Sequence, residues 1–169
     1  MTPAQIIELR NYIAADATLK TLANAGSDQQ VADTINGRTA TVIEPRMITS
    51  RGIASALGSI DGENFLKVLE NFSVATLDPA NPLLPYQPGI KRQIAWLSTD
   101  GLDLGDKETR SLMDALAAAA IITTSWATTL KAVAQKTVSY PVSVGWGMLT
   151  ANNIAWAVRD ASGNTLLGA

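Results

Sequence analysis

Asp100, Asp103 and Asp106 fall within seven positions, beside Gly101 and Gly105, in the stretch LSTDGLDLGDKETRSLMDAL (residues 97–116). Carboxylates crowded this closely could chelate a hard cation such as Ca²⁺. An EF-hand loop, however, sets its ligands at alternate positions and closes on glutamate. With Asp100 as the first ligand, the second falls on Leu102, and no glutamate closes the loop. A turn followed by a helix cap explains the pattern better. Gly101 and Gly105 then supply positive-φ turns, Asp106 caps a helix, and Glu108 sits near the positive end of its dipole.

Histidine and cysteine are both absent. That removes the commonest general base near neutral pH, thiol nucleophiles, zinc fingers, disulfides and any Ser-His-Asp triad. Paired carboxylates can still do acid–base work, as in glycoside hydrolysis. Asp61 with Glu63, and Asp103 with Asp106, are the nearest pairs, but neither lies in a catalytic signature. Carboxylates at helix starts account for both. The chain is not expected to be an enzyme, and no cofactor or metal is assigned.

Arg38, Arg46 and Arg51 surround the stretch RTATVIEPRM. Clustered guanidinium groups can hold an anion or a partner's carboxylate; otherwise they are solvated charges at helix ends. Trp96, Trp126, Trp146 and Trp156 all lie in the second half of the chain. Helical spacing assigns Trp96, Trp126 and Trp156 to core packing. Trp146, between glycines in SVGWGML, is either another core residue or an interface anchor. Arg38, Arg46, Arg51 and Trp146 are therefore the candidate protein or anion contacts.

These groups are carried by an all-α pattern. Thr2-Pro3 is a helix start, Val31 and Ile35 share one helical face, and Phe65, Leu66, Leu69 and Phe72 make another apolar stripe. Further helices follow over IKRQIAWL from Ile90, over 107–121, over WATTLKAVAQK and over LTANNIAWAVRD. RTATVIEPRM alone has strand character, as an extended connector or short edge strand limited by Pro45. Prolines at 79, 82, 85 and 88 make residues 76–89 a connection between two helical halves, where no helix is expected. SYPVSVGWG reads as an irregular joint, and the tail ASGNTLLGA as loose or docked on the surface. The expected architecture is one helical domain over 1–169, with about seven or eight short helices and at most one short β element.

The chain has 169 residues, a formal net charge of -2, 47% hydrophobic and 17% charged residues. This is a globular composition without the basic surface that tracks phosphate, so nucleic acid is not an expected partner. The longest strongly apolar run, ALAAAAII, is far short of the ~20 residues that span a bilayer. The N-terminus lacks the basic-then-apolar pattern of a signal peptide. A soluble protein with no membrane partner is expected.

Several segments together resemble a group of small tailed-phage and prophage proteins. They are AGSDQQVADTINGRTATVIEPRMITSRGIASALG, GENFLKVLE, IKRQIAWLSTDGLDLGDKETRSLMDALAAAAIIT and VGWGMLTANNIAWAVR. The ending departs from the group at Asn153, where an acid is usual. The resemblance implies phage origin, with synthesis in the host cytoplasm, and transfers no catalytic residue. The function expected is that of a non-enzymatic protein that binds other proteins, as a minor capsid, tail or assembly component. Its partners would be phage structural proteins or further copies of itself. The alternative is an early factor that inhibits a host defence or a host enzyme, with a host protein as partner.

Overall fold

The computed structural model describes residues 1–168. In chain order the elements are α1 (Pro3–Ala15), α2 (Ala17–Asn24), α3 (Asp28–Asn36), β1 (Thr39–Ile43), β2 (Met47–Ile48), α4 (Ser50–Leu57), α5 (Ser59–Val74), α6 (Gln87–Leu97), β3 (Leu102–Asp103), α7 (Lys107–Ala118), α8 (Thr124–Val133), β4 (Gln135–Ser139), α9 (Tyr140–Ser143) and α10 (Ala151–Val158). A 3-10 turn at Leu84–Tyr86 precedes α6. The mostly helical class is as expected, but the described residues form ten α-helices rather than seven or eight, and the limit of one β element is too strict. Four short strands form two two-stranded sheets, β1 with β4 and β2 with β3.

The contacts divide the chain into two compact units, Met1–Val42 with Thr137–Ala169, and Ile43–Lys136. The proline-rich segment does not mark this division. It lies inside the second unit, and the helices on either side of it, α5 and α6, pack together. Helix α6 also starts earlier than the proline count suggested, at Gln87. Pro88 occupies its first turn, where a missing N–H costs nothing.

In the first unit, Thr2 and Gln5 form a capping box that starts α1, and Asp16 caps α2 through the amides of Thr18 and Leu19. Leu9, Ile13, Leu19, Val31, Ile35 and Ile154 are fully buried together and form the core of this unit. Asn153 completes a second capping box, in which Thr150 N–H donates to its Oδ1 at 2.9 Å. The segment after α10 is docked: Arg159 bridges to Thr165, and Leu167 packs on the core.

The second unit has its own core, in which Ile53, Phe65, Ile90, Leu97, Leu104 and Leu130 are the most deeply buried residues. Helices α4 and α5 pack closely because Gly62 faces the Ala54 backbone, which a Cβ would overlap. Thr49, Asp106 and Thr123 cap α4, α7 and α8 with their side chains. Among the described residues, no helix is long and apolar enough to cross a membrane.

Candidate functional site

Arg38 is already occupied. Its guanidinium donates to Asp16 Oδ2 at 2.6 Å and to the Tyr12 hydroxyl at 2.7 Å, and lies 5.5 Å from the Tyr12 ring centroid. The hydrogen bond from Arg38, with support from the α2 amides, holds the Asp16 carboxyl below its ordinary pKa. Asp16 and Tyr12 in turn raise that of Arg38. Tyr12 stacks on Tyr140 at 4.8 Å, and Trp146 meets both rings edge-on at 5.7 and 5.9 Å. Burial raises the pKa of the Tyr140 phenol. Trp146 is itself buried, with its indole N–H aimed at Glu8 Oε2 at 3.4 Å. The fold thus brings Arg38 and Trp146, two of the four expected contact residues, into one internal cluster.

Arg46 and Arg51 belong to the second unit, at the approach to β2 and in the first turn of α4. Neither forms an ion pair among the described residues. Arg46 contributes mainly through its backbone, and that contribution joins two stretches which look unrelated in sequence. Its N–H donates to Asp103 Oδ1 at 2.7 Å, and its carbonyl accepts from Leu104 N–H at 2.9 Å. The same Asp103 oxygen accepts the Gly105 N–H at 2.8 Å. Strands β2 and β3 run antiparallel here, Met47 opposite Asp103 and Ile48 opposite Leu102.

The glycines of the aspartate loop serve different ends. Gly101 has φ +87, which lets its N–H turn back onto the Trp96 carbonyl at 2.7 Å. A Cβ at Gly101 would also crowd the Ile48 carbonyl, and Gly105 is needed for closeness alone: a Cβ there would overlap the Glu44 carbonyl. The expectation of positive φ at both is corrected for Gly105, which is not among the positive-φ residues. Asp106 caps α7 as its place before the helix suggested, accepting the Thr109 N–H at 2.7 Å, and that bond lowers its pKa. Among the described residues, no three acidic side chains converge to hold a metal ion.

The loop and β2 enclose an open groove of about 300 Å³, lined by Met47, Trp96, Leu102, Asp100, Asp103, Asp106 and Thr109 with Gly101. Met47 is 55% exposed and Trp96 46%. Trp156, on α10, is exposed as well. Core packing therefore holds for Trp126, which packs edge-on against Phe65, and is corrected for Trp96 and Trp156. The signal was present in the helix period. At about 100° per residue, Trp96 falls well off the face shared by Ile90, Ile94 and Leu97. Trp156 likewise stands nearly opposite Ile154 and Val158.

Asp100 makes no hydrogen bond or ion pair among the described residues, and Asp103 uses only one oxygen. The other carboxylate pair considered from sequence is a helix-start arrangement: Asp61 lies in the first turn of α5, and Glu63 faces Lys67 at 4.0 Å on the surface. Comparison of the chain with protein-family models, with curated proteins and with solved structures finds no match.

Proposed function

We propose that this chain is a non-enzymatic phage protein that works by binding another protein, as a minor component of the virion or of its assembly. The observation that carries this reading is the open groove on the second unit, where a tryptophan and a methionine face solvent beside free carboxylate oxygens. Exposed aromatic and thioether side chains grouped in a concave surface are features of protein contact sites. Much of the polar chemistry elsewhere is engaged in holding the fold: Asp16, Asp106, Thr49, Thr123 and Thr150 cap helices, and Arg38 and Arg159 are paired with carboxylates. The sequence resemblance to small tailed-phage proteins supplies the setting: synthesis in the host cytoplasm and incorporation into the particle.

Peptide mass spectrometry on purified particles of the encoding phage tests the reading. Recovery of the chain in fixed proportion to the major capsid or tail proteins is the expected result. Its absence from particles while abundant in infected-cell lysate would overturn the virion role. Pull-downs from the host would then test the alternative of an early inhibitory factor.

A further inference from the structure

We propose that the groove of Met47, Trp96 and Leu102 receives an arginine or lysine side chain presented on an exposed segment of a partner protein. This rests on the protein-binding reading above and adds the chemistry of the partner.

The groove has two characters at once. Its lining combines the apolar and aromatic side chains of Met47, Trp96 and Leu102 with the carboxylates of Asp100, Asp103 and Asp106. Asp100 is without a partner among the described residues, and one oxygen of Asp103 is uncommitted. Helix α6 ends at Leu97, so the negative end of its dipole falls on the same side. The opposing positive end of α7 is met by the Asp106 cap. Among the described residues, no cation lines the groove. Of the three adjacent in sequence to its lining, Arg46 and Lys107 line other depressions, Arg46 with Thr49 and Gly52, and Lys107 with Tyr86 and Gln93. Arg110 is committed to the carbonyls of Leu104 and Lys131.

A long cationic side chain matches both characters. Its methylene stem can lie along Met47 and Trp96 while its head reaches the carboxylates. Tryptophan is the best cation–π partner among the aromatic residues, and its electron-rich face attracts guanidinium or ammonium. A purely apolar segment would leave the carboxylates of the groove without a partner, and an acidic one would be repelled by them.

The test is an NMR titration of the ¹⁵N-labelled full chain with capped pentapeptides of sequence Gly-Ala-Xaa-Ala-Gly, where Xaa is arginine, lysine or glutamate. The arginine and lysine peptides should shift the Trp96 indole N–H and the amides of Asp100 to Asp103, with a Kd of about 1 mM. The glutamate peptide should shift neither. Asp100→Asn, at a site that makes no bond in the fold, should weaken the arginine peptide about fivefold and leave the rest of the spectrum unchanged. Absence of these shifts, equal shifts with glutamate, or unaltered binding by Asp100→Asn would overturn the proposal. Sedimentation of the wild type and Asp100→Asn checks for a second copy in the groove. A dimer lost in the variant would assign the groove to self-association and overturn the partner assignment. Particle mass spectrometry separates the two proposals. A chain absent from particles that still binds the arginine peptide loses the virion role alone. A chain present in particles with no peptide shift loses the groove assignment alone.

Discussion

Two clusters, one in each unit, combine tryptophan with acidic side chains, and they use them in opposite ways. In the first unit, Trp146 is buried against Tyr12 and Tyr140, Asp16 holds Arg38, and Asp28 holds Arg159 through two hydrogen bonds at 2.6 and 3.0 Å. Each group has its partner within the fold. In the second unit, Trp96 is half exposed and Asp100 has no partner among the described residues. The difference teaches that residue type alone does not mark a contact site. On the proposed reading, what marks it is chemistry that folding leaves unpaired.

This contrast can be broken most sharply at Trp146. Trp146→Ala removes a buried indole and its two ring contacts, so we expect about 3–5 kcal/mol lower stability of the first unit in urea unfolding. A loss below ~1 kcal/mol would show that the cluster is not structural. Arg159→Met should come next. It leaves Asp28, whose side chain is 17% exposed, without its guanidinium, and frees the Ala23 carbonyl that Arg159 also binds. We expect a cost of about 2 kcal/mol. Gly105→Ala should cost a similar or smaller amount, about 1–3 kcal/mol, because the Glu44 backbone must move to admit the methyl group.

The Arg38–Asp16 pair gives a pH signature. The folded-state pKa of Asp16 is depressed, so its contribution is present above the unfolded value of ~3.9 and is lost as pH falls below it. The stability gap between wild type and Arg38→Met should therefore narrow between about pH 5 and pH 2. A gap that stays constant over this range would remove the ion pair from the explanation. Trp96→Ala should have the smallest effect on stability, within about 1 kcal/mol, since its ring is 46% exposed.

Much of the fold was legible in the sequence because helix starts are local. Thr2-Pro3 and Asp106 start the helices that their positions announced. The strands were harder to find. β2 and β3 are two residues each, too short for any alternation to show. β4, in QKTVS, carries only one strongly β-forming pair and was hidden beside a helix. The groove needs the pairing of β2 with β3, contacts between residues more than fifty positions apart, so no local signal could assemble it. Arg46 and Asp103 were each singled out from the sequence, but nothing there joined them. The orientation of Trp96, in contrast, could be read from the helix period.

The central claim is that unpaired chemistry on the second unit is where the protein is used. The most direct measurement is the copy number of the chain in particles of a deletion phage complemented with wild type or with the double variant Trp96→Ala, Asp100→Asn. Equal levels of folded protein in the lysate should be checked alongside. We expect wild type in every particle preparation and a severalfold loss of the variant. Equal incorporation of both would contradict the claim.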